Sequence, residues 1–242
     1  MVREGSLLRV YREGEARFDG FLDDYGFFAN GLVDLYEATF ELEWLSWASL
    51  LAESVYERFS DADSGGLFYT TYDHERLVAR TRERQDAAMP SGASQALMAS
   101  LRIARLTGDE KLKGLGLAVI RSYGSKIRER PTAFATMLAA LDFHLAPATE
   151  IAVVGHLENP DAEILRRLVN GCYLPNAVIA GSHVNGATPS TSAPAEGFPP
   201  VSIPLLAGKK AIRGRPTVYV CRDRTCSRPI TTPDKLLAAL SG

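Results

Sequence analysis

The chain has 242 residues, 46% hydrophobic and 23% charged, with a formal net charge of −2. That is the composition of an ordinary globular protein, which excludes disorder along the whole chain, and the near balance of charge offers no footprint for nucleic acid. No apolar run approaches the ~20 residues of a membrane-spanning helix, residues 1–20 lack a signal-peptide core, and three cysteines are too few for a disulfide framework, so a cytoplasmic, reducing setting with no membrane partner is expected.

Residues 1–20 are polar and glycine-dotted and show no period. A first helix is expected from "LDDYGFFANGLVDLYEATF". Asp23 or Asp24 is its cap, Phe28, Leu32, Leu35 and Thr39 lie on one face, and Tyr25 and Val33 widen that face. A second helix, "EWLSWASLLAESVYERFS", carries a stripe of Leu45, Ala48, Leu51, Ala52, Val55 and Phe59. The link between the two is too short for anything but an antiparallel hairpin. Ser64, Gly65 and Gly66 then break the helix, and "LFYTTY" has the aromatic and β-branched character of a short strand. Pro90 suits the first turn of a third helix running to Thr107. Asp109 caps a fourth, and Pro131 opens a fifth. Beyond Pro147 the period changes. "TEIAVVGH", "NAVIAG" and "PTVYVCRD" read as strands, "DAEILRRLVNGC" and "TPDKLLAALS" as helices, and residues 182–200 as a mobile loop rich in Gly, Ser, Thr and Pro. Strand, helix, strand implies some parallel pairing.

The expected division is therefore a mostly helical part over 1–147 and a small α/β part over 148–242. In consecutive antiparallel helices every second one points the same way, so helices one, three and five begin at one end. Three N-termini with free N–H groups would then share a rim that suits an oxygen-rich or anionic ligand, although ordinary capping produces the same pattern.

The remaining motifs are weaker. Cys221 and Cys226 lack the further ligands of a zinc site and are expected as two thiols or a local loop clip. Cys172 is expected as a small buried apolar residue. "GKKAIRGR" does not match the phosphate-loop pattern and reads as a solvated loop, and "EIAVVGH" lacks the further glycines of a dinucleotide fingerprint. No metal or cofactor is expected.

The ordered segments "FLDDYGFFANGLVDLYEATF", "SGGLFYTT", "RTRERQDAAMPSGAS", "ARLTGD", "EIAVVG" and "YVCRDRTCSRPITTPDKL" resemble the C-terminal half of the YyaL-like proteins, the thioredoxin-domain-containing family related to spermatogenesis-associated protein 20. The resemblance implies the last helical hairpins of a six-hairpin glycosidase or epimerase-type (α/α) toroid, followed by an α/β tail. The thioredoxin-like domain and the first half of the toroid are not expected in this chain, which contains no C-x-x-C. Where the family reads D-G-A-x-P-S-G-N-S, Ala93 stands in place of the amide, and where it reads D-D-Y-A, Gly26 follows Tyr25. Carried across residue by residue, Asp23, Asp24, Tyr25, Arg80, Asp86, Ser91 and Ser94 are candidate pocket residues.

Asp23, Asp24 and Asp86 have the chemistry for the two carboxylates that glycoside hydrolysis needs, one as proton donor and one as base or nucleophile. Capping explains one acid at each helix, which leaves one of the Asp23–Asp24 pair for a pocket. Tyr25 and Arg80 either engage a polar ligand, or Tyr25 is buried between helices and Arg80 pairs with Asp86. Toroid epimerases use histidine acid–base groups, and none of His74, His144, His156 and His183 is expected at a rim helix mouth. The expected partners are a small carbohydrate-like ligand and, because a half toroid exposes apolar flanks, a second copy or a separate chain carrying the missing half. The alternative is a non-catalytic interaction module.

Overall fold

Residues 6–19, where no period was expected, form an antiparallel hairpin. The computed structural model, which describes residues 2–3, 6–74, 80–82, 85–156, 159–182, 201–223 and 225–241, places β1 (Val2–Arg3), β2 (Ser6–Arg12) and β3 (Glu15–Asp19) in one three-stranded sheet of that order. Arg12 faces Glu15 across the turn. Glu13 and Gly14 both have positive φ, 54° and 85°, which is the requirement of a tight turn that matches strand twist. Most of the hairpin is exposed, and its solvent-facing strands hide the alternation that would have marked them.

Two hairpins of long helices follow. α1 (Leu22–Thr39) and α2 (Leu42–Phe59) are joined by two residues. They run antiparallel, since Tyr25 in the first turn of α1 meets Phe59 at the end of α2 edge to face at 5.1 Å. The expected stripe of α2 is buried throughout, and each fully buried aliphatic side chain in it contributes ~1.5–3 kcal/mol. The face expected for α1 is corrected. Phe28, Leu35 and Thr39 are exposed, and the buried residues are Leu22, Tyr25, Ala29, Leu32, Val33 and Tyr36. "LFYTTY" is not a strand either: only Leu67 makes a β-bridge, to Ser60, while Phe68 and Tyr69 turn their rings to other work. α3 (Gly92–Thr107) begins two residues after Pro90, and α4 (Glu110–Glu129) follows with Asp109 as its cap, accepting the Leu112 N–H at 2.9 Å. A 3-10 turn at Pro131–Phe134 leads into α5 (Ala135–Leu145).

Beyond them lie β4 (Thr149–Val154), α6 (Pro160–Asn170), β5 (Ala177–Ser182), β6 (Thr217–Arg222), β7 (Thr225–Cys226) and α7 (Pro233–Leu240). The sheet order is β5-β4-β6-β7, with β4 parallel to β5 and antiparallel to β6, so the parallel pairing expected from strand, helix, strand is present. Ile151, Val153, Leu165, Val169, Val218 and Val220 form its core. Cys221 and Cys226 face each other across β6 and β7 and are joined as a disulfide, the loop clip rather than two thiols. Cys172 is only partly buried, contrary to expectation. Residues 183–200 and His183, within and beside the expected mobile loop, lie outside the described residues.

The described chain is thus mostly helical with a small α/β part. It divides into two compact units, Met1–Val33 with Trp47–Ala104 and Asp109–Asp142, and Asp34–Ser46 with Arg105–Gly108 and Phe143–Gly242. No helix among the described residues is long and apolar enough to cross a membrane.

Candidate functional site

The mouths of α1, α3 and α5 meet within the first unit. A Cβ on Gly92, the first residue of α3, would stand 2.5 Å from the Asp23 nitrogen and 2.8 Å from its Cα, so the start of α3 lies directly on the start of α1. Asp86 ties α3 to α5. One of its carboxylate oxygens accepts the Ser91 N–H at 2.8 Å, and the other accepts the N–H groups of Thr136 at 2.8 Å and Met137 at 3.4 Å. Its own N–H donates to the Ala133 carbonyl at 2.8 Å. Both oxygens of Asp86 thus satisfy orphan donors at helix starts, where negative charge is favoured.

The serines do the same work on a smaller scale. Ser91 precedes α3, its hydroxyl accepts the Ser94 N–H at 3.2 Å, and the two hydroxyls bond each other at 2.8 Å. Both residues are buried. This is helix capping, in which the side-chain oxygen takes an N–H of the first turn.

The acid doublet divides its labour. Asp24, in the first turn of α1, reaches back to accept the Phe21 N–H at 2.8 Å, the returning half of a capping box. Asp23 accepts the Asp24 N–H at 3.0 Å and the Tyr69 hydroxyl at 3.3 Å. Burial raises the Tyr69 pKa, and the Asp23 carboxylate pushes it the same way.

Tyr25 lies in the core, with its hydroxyl accepting the Leu7 N–H at 2.8 Å, and burial raises its pKa against the pull of that bond. Arg80 does not pair with Asp86. Its guanidinium lies 4.1 Å from the Phe68 ring centroid and donates to the Thr70 carbonyl. Burial lowers its pKa, opposed by the charge of Asp73.

Beside the helix mouths opens a cavity of about 390 Å³ lined by Arg9, Phe18, Asp19, Phe21 and His74. None of these was singled out as a pocket residue from the sequence. Phe21 organises the floor: Tyr69 stacks on it at 4.9 Å, the Arg9 guanidinium lies 4.7 Å from its centroid, and His74 tilts against it at 5.4 Å. His74 is therefore at the α1 mouth after all, which corrects the expectation that no histidine would be. The Leu22 N–H donates to the Tyr69 carbonyl at 3.0 Å, so the connection carrying Tyr69 and His74 is sewn to the start of α1. Phe18 is 72% exposed and has φ of +62°, a backbone region that bulky residues rarely enter and that carries strain. The signal that was available lay in the long connection itself, since connections of that length are often functional.

The fold and this site define a class: a mostly helical protein with a small α/β part, holding an aromatic-floored, ligand-sized cavity beside a helix mouth. By sequence the chain belongs to the spermatogenesis-associated protein 20 family, as a match to part of those proteins. It is 31% identical over 218 residues to spermatogenesis-associated protein 20 of Rattus norvegicus, and equally to that of Homo sapiens, matching 90% of its own length. It is 26% identical over 231 residues to an uncharacterized protein of Caenorhabditis elegans. The chain spans about a quarter of the length of these curated relatives, 26%, 27% and 29% respectively. No family model matches it.

Proposed function

We propose that the cavity beside α1 binds a small, hydroxyl-rich, carbohydrate-like ligand, and that α1–α5 are hairpins of an (α/α) toroid carrying it. The observation that supports this most is Phe18, a largely exposed aromatic side chain held at φ +62° on the lip of a cavity. Strain at an exposed aromatic serves no packing need, whereas a flat apolar face beside polar groups suits a sugar ring. Two of the candidate acids reach this floor: Asp24 directly, through the Phe21 N–H and Arg9, and Asp23 through Tyr69. Asp86, Ser91 and Ser94 hold the helix mouths that position it, Asp24 caps α1, Tyr25 packs in the core against Phe59, and Arg80 packs over Phe68. With Asp86 committed to three N–H groups, the reading is binding rather than turnover.

Phe18→Gly separates function from fold. Glycine relieves the left-handed penalty, so stability should rise by ~1 kcal/mol, while affinity for a sugar that binds the parent chain should fall on the order of tenfold with the loss of the ring. Calorimetric titration of both proteins, with a melting curve for each, checks this. Unchanged affinity would remove the cavity from consideration.

A second reading is supported by α1 itself. Phe27 and Phe28 are 38% and 46% exposed on its outward side. Adjacent exposed aromatics suit an interface with a second copy or with a separate chain bearing further hairpins. Light scattering at micromolar concentration should then report a dimer that Phe28→Glu dissociates, and a monomeric parent chain would end the second-copy form of the reading.

A further inference from the structure

Resting on the cavity reading above, we propose that the preferred ligand is dipolar: a single sugar ring bearing both an ammonium group and a carboxylate, the chemistry of an amino sugar acid. The cavity lining carries two opposite charges, Arg9 from β2 and Asp19 from β3. The strand register sets Leu8 against Asp19 and Val10 against Arg17, so Arg9 stands opposite Phe18, one position along from Asp19. Yet the two do not neutralise each other. The ion pair of Arg9 is to Asp24 at 3.8 Å, a long contact to a carboxylate whose oxygen already takes the Phe21 N–H at 2.8 Å. Asp19 is exposed and forms no ion pair among the described residues.

Arg9 is also oriented. Its guanidinium lies over Phe21 beside Tyr69 and Asp24, a placement that holds the planar fork against the aromatic floor, where a ligand carboxylate would compete with the long contact to Asp24. Asp19 offers an acceptor to an ammonium, and Phe18 supplies the flat face for the ring between them. His74 tilts against Phe21 and completes the lining. A neutral sugar leaves both charges solvated but unused. A purely cationic or purely anionic sugar meets one partner and one like charge, and a dipolar one meets two partners.

The test is a charge series on one ring framework, titrated calorimetrically into the full 242-residue chain: glucose, glucosamine, glucuronate and muramic acid. Muramic acid should bind most tightly, on the order of tenfold better than glucose, since each exposed pair contributes up to about fivefold, and its affinity should weaken as salt rises. Asp19→Asn should weaken muramic acid and glucosamine about fivefold and leave glucuronate unharmed. Arg9→Gln should weaken muramic acid and glucuronate and leave glucosamine unharmed. Asp19 is exposed and forms no ion pair among the described residues, so its variant reports on the ligand whether or not the Arg9 variant folds. If glucose binds as well as muramic acid and Phe18→Gly abolishes both, the dipolar ligand is wrong and the cavity reading stands. If none of the four sugars binds, both readings fall together.

Discussion

Asp86→Ala is expected to destabilise the first unit by about 3 kcal/mol. The carboxylate takes the N–H groups of Ser91, Thr136 and Met137, which belong to the starts of two different helices. Losing one helix cap costs roughly 0.5–2 kcal/mol, and each N–H left without a partner away from water costs about 1–3 kcal/mol. The total stays near 3 kcal/mol because part of each mouth can rehydrate. Asp86→Asn is the sharper variant. Its side chain keeps one oxygen but turns an NH₂ toward an N–H on the other side, so one helix stays capped and the other faces donor against donor. About half the alanine effect should follow. The same pair of proteins tests the role of the residue. A staple predicts a lowered melting temperature with ligand affinity preserved in whatever remains folded. A proton-transfer group predicts the reverse, with stability held and turnover of a bound substrate lost. A melting curve of Asp86→Asn that superimposes on the parent would refute the staple.

The acids at the helix starts were legible because capping and ligand binding draw on the same residue types. What the sequence could not convey is which demands were already met. Asp86 looked available for chemistry, but its neighbours in space include Thr136, fifty residues on, whose N–H consumes the second oxygen. The stripe of α2 was plain because its opposite face is polar. α1 is apolar on more than one side, so Phe28 and Leu35 fitted a helical period as well as the buried Ala29 and Tyr36 did, and periodicity alone could not choose. The N-terminal hairpin was hidden by its turn, since Glu13-Gly14 is a poor relative of the Asn-Gly signal. "LFYTTY" has strand propensity, yet tertiary packing sent Phe68 beneath Arg80 and Tyr69 onto Phe21, as context commonly overrides such propensity. The cavity was missed for the same reason: its lining comes from β2, β3, the approach to α1 and the long connection, four stretches that no local pattern joins.

Glycine to alanine should have opposite signs at two positions that the sequence makes look alike. Gly31 sits within α1, and a Cβ there would meet nothing within 4 Å. Alanine restricts the unfolded chain and suits a helix, so Gly31→Ala should stabilise by about 1 kcal/mol. Gly92 opens α3, and a Cβ there would stand 2.5 Å from the Asp23 nitrogen and 2.8 Å from the Leu22 carbonyl carbon. The obstruction is backbone on backbone, so no rotamer change relieves it. Gly26 shows the contact from the other side, with a Cβ placed 2.6 Å from the Gly92 carbonyl oxygen and 3.0 Å from the Ala96 nitrogen. Gly92→Ala must push the two helices apart, at a cost of about 3 kcal/mol, the upper part of the range for overpacking a tight interface. For a chain of this length that is a drop of roughly 6–12 °C in melting temperature. The same shift would move Phe21 and Asp24 relative to the Ser91 cap, so affinity at the cavity should fall along with stability. Side-by-side melting curves of the two variants decide the matter. Gly92→Ala melting no lower than Gly31→Ala would mean that the mouths of α1 and α3 are not in contact, and the whole placement of the cavity beside them would go with it.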